Sequence, residues 1–196
     1  TTLSGHTVLR KIAESPTAIA YLARNQDREI RLDVLRSELT SEPTSCARFA
    51  AVTRLMSTVG SPLLPSRPEV VADKGRLAVA HDFVEGQSLA VRVRRTGPLH
   101  LNEARPLLEL VLEALRSLHA RGICHGALSL DSILTYRDAE GGQRILLLDT
   151  GVDRLVARVQ LPSSSSACAL AAAVPNTVAP EQLTSGVAST AADIYA

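Results

Sequence analysis

Short stretches of alternating apolar and polar residues fill positions 8–39, a pattern typical of β-strands. The clearest stretch is Glu29–Leu35, in which every second residue is apolar. Arg31 and Asp33 lie two residues apart and therefore on the same face of this predicted strand. A polar turn separates it from a shorter apolar run at Tyr21–Ala23. We predict a mostly β beginning to the chain.

Helical spacing appears twice further along. Residues 45–59 repeat small and apolar residues every fourth position, which predicts a helix with Ala47, Ala51, Leu55 and Val59 on one face. A longer apolar repeat runs from Asn102, the predicted N-cap, to a stop at Gly122. Pro106 is expected in the first turn of this helix, where its missing N–H costs little.

Strands are predicted again at residues 76–83, 132–135 and 145–148, and the last two are joined by a Gly-containing turn. An irregular tract with a run of serines at 163–166 follows, read either as a remnant of a mobile segment or as a cluster of phosphorylation sites. Strands, a long amphipathic helix and a hairpin together predict an α+β fold.

Composition excludes several classes of function. The chain has 196 residues, 45% hydrophobic residues and a net charge of +1, so we expect a globular protein that does not bind nucleic acid. Its three cysteines are widely separated, which argues against a zinc site or a disulfide framework. No apolar stretch approaches the roughly 18 residues of a membrane span.

Four ordered motifs carry a family resemblance. Residues 118–134, LHARGICHGALSLDSIL, resemble the catalytic-loop region of bacterial Ser/Thr protein kinases. Leu148–Gly151 stands where these kinases have their Asp-Phe-Gly metal motif, Ala179–Glu181 matches their Ala-Pro-Glu, and Asp193–Tyr195 resembles the start of their central helix. The resemblance implies a two-lobed fold, with an N-lobe at residues 1–86 and a C-lobe at residues 87–196. We expect that C-lobe to be incomplete in this chain.

The same register shows which kinase residues are replaced in the N-lobe. No glycine occurs at residues 12–20, where the family has its glycine-rich phosphate loop. Asp33 falls on the phosphate-binding lysine, and Val52 falls on the glutamate that pairs with that lysine. Arg31 falls where the family keeps a small residue against adenine. Arg31 and Asp33 are read either as a new catalytic pair or as a salt bridge that plugs the site.

The catalytic loop is replaced at three positions. Ala127 stands at the proton-accepting aspartate, Ser129 at the loop lysine and Ser132 at the metal-binding asparagine, whereas Asp149 is retained at the metal motif. An alanine side chain cannot accept a proton or a hydrogen bond. Asp149 is read either as a residual metal ligand or as a cap of the turn that follows it, and His125 as a packing residue.

The resemblance therefore implies a pseudokinase that is not an enzyme, with no cofactor and no metal. Its features are most similar to the cytosolic pseudokinase domains of mycobacterial MviN-type lipid II flippases, integral membrane proteins of peptidoglycan synthesis. This likeness implies a scaffold tethered on the cytoplasmic side, phosphorylated on threonine by an active Ser/Thr kinase and bound by a forkhead-associated domain. Thr135, beside a predicted exposed hairpin, is the candidate phosphosite.

Two alternatives remain open. One is a nucleotide-sensing switch that binds ATP without turning it over, and the other is a divergent, weakly active kinase that uses Asp149.

Overall fold

The described part of the chain folds as an α+β structure with two antiparallel sheets, each accompanied by helices. The computed structural model describes residues 2–3, 5–15, 18–41, 43–73, 75–151, 177–185 and 188–196. The first sheet has six strands in the order β1-β2-β3-β4-β6-β5, and the second has three in the order β7-β8-β9. This agrees with the predicted α+β order.

The strands and helices lie along the chain as follows: β1 Thr2–Leu3, β2 His6–Glu14, β3 Ala18–Asn25, β4 Arg28–Leu35, α1 Pro43–Met56, β5 Glu69–Asp73, β6 Arg76–Asp82, β7 Gln87–Ser88, α2 Leu89–Thr96, α3 Leu101–His119, β8 Ile133–Arg137, β9 Gln143–Leu147, α4 Pro180–Ser185 and α5 Thr190–Tyr195. A short 3-10 helix at Ser37–Leu39 precedes α1.

Strand β4 lies inside the six-stranded sheet, between β3 and β6. Because apolar and charged residues alternate along β4, Ile30 and Leu32 lie in an apolar cluster on one side of the sheet, where they are almost fully buried. Arg31 and Asp33 point to the other side because neighbouring residues of a strand face opposite ways. The predicted strand is confirmed, and it fixes where these two charged groups lie.

Helix α1 packs on the sheet through a different face from the one predicted. Phe49, Thr53 and Met56 are buried, whereas Leu55 is 47% exposed. The four-residue repeat of small residues is on the outer side, since Ala47 and Ala51 are also exposed. Alanine repeats did not identify the packing face because the larger Phe49 and Met56 bury more apolar surface.

Helix α3 forms the core of the second half of the protein. Five of its residues at three- and four-residue spacing are buried: Leu107, Val111, Ala114, Leu115 and Leu118. Leu108 and Leu112 belong to the same predicted apolar repeat but are exposed. It begins at Leu101 with His100 as N-cap, so the predicted cap at Asn102 is wrong and Pro106 lies in the second turn. Among the described residues, no helix is both long enough and apolar enough to cross a bilayer.

Candidate functional site

A cleft of about 310 Å³ lies between the six-stranded sheet and the second half of the chain. The β2–β3 hairpin, β4 and the connection from Phe83 to Ser88 form three of its sides. Asp131, Leu134, Leu148 and Asp149 line the side contributed by the second half. Its volume is at the lower end of the range for small-molecule sites.

Arg31 and Asp33 form an ion pair on the sheet side of this cleft. Arg31 Nε lies 2.9 Å from Asp33 Oδ1 and 3.0 Å from Oδ2. Their side chains are only 12% and 10% exposed, so water screens the pair weakly. The predicted salt bridge is therefore present. A cavity remains beside the two paired side chains, which form part of its lining.

His81 joins this pair and was not expected from the sequence. The pairing of β4 with β6 sets His81 directly opposite Arg31. Its Nε2 lies 3.3 Å from Asp33 Oδ2, and its Nδ1 lies 2.9 Å from the carbonyl oxygen of Asp82. Burial alone would raise the pKa of Asp33, but the charge of Arg31 and the hydrogen bond with His81 lower it below its usual range.

Asp149 faces the ion pair from the other side of the cleft. Its backbone has a φ of 61°, in the left-handed region, which aspartate tolerates better than most residues. Burial, followed by the nearby charge of Asp33, raises the pKa of Asp149 to about 6. A carboxyl group with a raised pKa in a cleft is characteristic of functional sites.

Val52 lies against the turn that follows Asp149. A Cβ atom on Gly151 would come within 2.8 Å of the Val52 Cγ1 atom. The side chains of α1 that share a small cavity with Asp33 are Phe49, Thr53 and Met56. Val52 thus supports the Asp149 turn by packing.

The negative charge of Glu14, in the stretch that lacks glycine, is compensated by two neighbouring cations. The Glu14 carboxylate pairs with Lys11 and with Arg36, whose Nη2 lies 2.6 Å away. Hydrogen bonds from Lys11 and then Arg36 lower the pKa of Glu14. The negative charge at this edge of the cleft is therefore balanced by two cations. Residues 16 and 17, between β2 and β3 in the sequence, lie outside the described residues.

The catalytic-loop segment is held in place by Asp193 of α5. Its Oδ2 accepts the backbone N–H of His125 at 2.8 Å, and its Oδ1 accepts that of Gly126 at 2.7 Å. His119 Nε2 lies 2.8 Å from the same carboxylate, and Gln182 Nε2 donates to the Gly126 carbonyl oxygen at 3.2 Å. The motif Asp193–Tyr195 could be found in the sequence, but this positioning role depends on contacts across nearly 70 residues.

His125 has the structural role predicted for it. It is fully buried, and Nε2 donates to the carbonyl oxygen of Leu148 at 2.7 Å, since Nδ1 accepts the N–H of Ala127. Burial lowers the pKa of His125, which favours the neutral ring. The ring thus connects the loop to the strand end that precedes Asp149.

The replaced residues of the catalytic loop lie in different environments. Ala127 lines a second, smaller cavity of about 40 Å³ beside Gln182 and Asp193. Ser132 is buried, and its hydroxyl both donates to the carbonyl oxygen of Ser129 and accepts the N–H of Ser129, at 2.9 and 3.0 Å. Ser132 and Ser129 therefore brace the loop against each other.

The expected exposure of the phosphosite candidate is wrong. Thr135 is buried, and its Oγ1 donates to the carbonyl oxygen of Gln87 at 3.0 Å. The reason is that the short strand β7 pairs with β8 at this position and covers the hairpin. Thr150 is also buried, whereas Thr190 is exposed at the start of α5. The serine run 163–166 lies outside the described residues.

Sequence comparison connects the chain with named bacterial kinases. No family model matches it. The serine/threonine-protein kinase pkn2 of Myxococcus xanthus is 30% identical over 190 residues, or 96% of this chain and 22% of that protein. The serine/threonine-protein kinase PknJ of Mycobacterium tuberculosis is 30% identical over 179 residues, or 90% of this chain and 30% of that protein. The chain spans less than a third of either relative.

Structural comparison gives the fold. The kinase domain of Mycobacterium tuberculosis PknI superposes with a TM-score of 0.74 and 23% sequence identity, over 98% of this chain and 71% of that chain. The two-lobed kinase-like fold predicted from the motifs is thereby confirmed.

One prediction from the sequence is overturned by these relatives. The replaced residues led to the expectation that the chain is a pseudokinase and not an enzyme. Its relatives are named as serine/threonine-protein kinases, which contradicts that expectation. The likeness to flippase domains, the forkhead-associated partner and the location on the cytoplasmic side stay predictions.

Proposed function

We propose that this bacterial Ser/Thr-protein-kinase-like domain is a divergent kinase that binds a nucleotide between its lobes and transfers phosphate slowly. The observation that carries the proposal is the position of Asp149 on the wall of the 310 Å³ cleft, opposite Arg31. The names of the relatives support the reaction class, and the replaced loop residues support the low rate.

Asp149 is the group best suited to a divalent ion. Within the described ranges, no three His, Cys, Asp or Glu side chains are grouped so as to hold a metal ion by themselves. Magnesium accepts one or two carboxylates together with phosphate oxygens and water. Asp149 together with nucleotide phosphates fits that requirement, and such an ion would neutralise charge on the phosphates.

The rate is expected to be low because Ala127 cannot take the proton of an acceptor hydroxyl. General-base catalysis usually contributes about 10²–10⁴-fold. Phosphoryl transfer relies chiefly on positioning and electrostatic stabilisation, which a cleft with a carboxylate and an arginine still offers. Ser132 adds little, since its hydroxyl is engaged by the Ser129 backbone.

Calorimetric titration of ATP with and without magnesium tests the binding part of the proposal. Asp149→Asn should weaken the binding of magnesium-ATP. Without magnesium the same variant should bind ATP as well as the wild type or better, because a negative charge facing the phosphates has been removed. Asp27→Asn, at an exposed turn between β3 and β4, is the matched control and should change neither value.

Transfer is tested separately with radiolabelled ATP under single-turnover conditions. Label on the protein or on a basic acceptor protein, lost in Asp149→Asn, supports a weakly active kinase. Saturable ATP binding with no transfer over long incubation supports the nucleotide-sensing switch instead, a reading favoured by Ala127. Absence of any nucleotide binding contradicts both.

A further inference from the structure

We infer that Arg31 is the phosphate-binding cation of the cleft and that the terminal amino groups of its guanidinium bind the phosphates of a nucleotide. The inference rests on the proposed function and assigns a ligand group to one residue. It concerns the site from which the family's lysine is missing, since Asp33 occupies that position.

The hydrogen bonds of Arg31 leave most of its guanidinium group available. Among the described contacts, Arg31 donates only through Nε, to the two oxygens of Asp33. The terminal amino groups, Nη1 and Nη2, have no protein partner in the described part of the chain. A planar guanidinium can grip a phosphate with two parallel N–H donors, so these free donors suit an anionic ligand.

Arg31 is also the cation of the cleft that water screens least. Arg10 and Arg94 line the same cavity, but both are exposed, and Arg94 is loosely paired with Asp131 at 3.9 Å. The Arg31 side chain is only 12% exposed. Because screening weakens exposed charges far more than buried ones, Arg31 dominates the attraction of an anion into the cleft.

The neighbours of Arg31 leave room for a ligand above it. Ala18 and Ala20 of β3 line the cavity on the same side and present only methyl groups. Asp149 lines the same cavity as Arg31. A phosphate between Arg31 and an ion at Asp149 would therefore have a cation on each side.

The competing interpretation is that the Arg31–Asp33 pair serves only to block the nucleotide. The two interpretations predict opposite effects of removing the pair. The double variant Arg31→Ala/Asp33→Ala is the suitable probe, since it removes both partners of the buried pair together. Binding of adenosine, ADP and ATP to wild type and variant is measured by calorimetry.

We expect the double variant to lose about 10- to 100-fold in affinity for ADP and ATP and to bind adenosine as the wild type does. Arg31→Lys should keep part of the phosphate affinity. Asp33→Asn should raise the affinity for ATP severalfold, because the carboxylate competes for Arg31. Arg67→Ala removes an exposed arginine–aspartate pair outside the cleft and should change nothing.

If the double variant binds ATP as tightly as the wild type or more tightly, Arg31 is a plug and the inference is wrong, while the proposed function stands. If the loss is equal for adenosine, ADP and ATP, the pair shapes the base pocket and the inference is also wrong. If the wild type binds none of the three ligands, the proposed function itself fails and the inference falls with it.

Discussion

Asp193 Oδ2 accepts the backbone N–H of His125 at 2.8 Å. This contact ties α5 to the loop that carries Ala127, and the other oxygen of the same carboxylate holds the next N–H, that of Gly126. Asp193 is 3% exposed, so these hydrogen bonds are made away from water. The loop is therefore positioned by a side chain that approaches it from the far end of the chain.

Asp193→Asn should destabilise the domain by about 2–4 kcal/mol. The asparagine side chain has one oxygen that accepts hydrogen bonds and one NH₂ group that only donates. One of the two buried backbone N–H groups would therefore face a donor. Denaturant unfolding measures the loss. Asp27→Asn, on an exposed turn, should change stability by less than about 0.5 kcal/mol. Equal stability of the Asp193 variant and the wild type would show that the carboxylate does not hold the loop.

Gly151→Ala should be more destabilising than an ordinary glycine replacement. Gly151 has a φ of 80°, and an added Cβ would lie 2.8 Å from Val52 Cγ1. Gly141 has a φ of 82° with no atom within 4 Å of an added Cβ, so Gly141→Ala isolates the backbone cost of about 1 kcal/mol. Gly151→Ala should exceed it by about 1–3 kcal/mol, measured by the same unfolding.

Val52→Ala provides the control for that contact. In the background of Gly151→Ala, it should restore part of the lost stability, because the methyl groups that clash are removed. Additive effects of the two substitutions would mean that Val52 and Gly151 do not press on each other.

Asp149→Asn should stabilise the domain at neutral pH. The pKa of Asp149 is raised from 3.8 to about 6, so the folded state binds its proton more tightly than the unfolded state. Stability from this group is therefore greatest at low pH and declines as pH rises from 3.8 to 6. Above pH 6 the variant avoids this penalty and should gain up to about 3 kcal/mol.

Unfolding of wild type and variant at pH 7.5 and near pH 4 measures this effect. The gain should shrink towards zero at the lower pH, where Asp149 is protonated in the folded protein. Asp27→Asn, on the exposed turn between β3 and β4, serves as control and should show no such pH dependence. A variant that is less stable than the wild type at pH 7.5 would contradict the burial of a charged Asp149.

Thr190 rather than Thr135 should be modified when the folded domain is incubated with an active bacterial Ser/Thr kinase. Thr190 is exposed, whereas Thr135 is buried under β7 with its hydroxyl bonded to Gln87. Mass spectrometry of the modified protein locates the phosphate, with urea-unfolded protein as the comparison. Phosphate on Thr135 in the folded domain would mean that β7 detaches readily from β8.

Local periodicity was sufficient to predict β4, β6 and the buried face of α3, because each repeats its pattern over several turns or alternations. Strand β5 and helix α2 were missed. β5 has only five residues after a proline-rich connection, and α2 carries β-branched valines and three arginines in eight positions. Short elements of this kind form because the surrounding structure buries them, and a single sequence does not contain that information.

The residues of the candidate site likewise fall into those that the sequence could predict and those that it could not. The Arg31–Asp33 pair was predictable because both residues lie on one strand at a spacing of two. His81 and Asp193 could not be found by spacing, since they reach Asp33 and His125 through partners 48 and 68 residues away. Thr135 was misjudged for the same reason, because the strand that covers it lies outside its own hairpin.

The most direct test of the account is a calorimetric titration of magnesium-ATP into the wild-type domain and into Asp149→Asn. We expect saturable one-to-one binding to the wild type and affinity lower by about tenfold or more in the variant, which loses a charged contact to the ion. No binding to the wild type at millimolar ATP would contradict a nucleotide site in the cleft, and equal binding to both proteins would contradict the role of Asp149 in holding the magnesium ion.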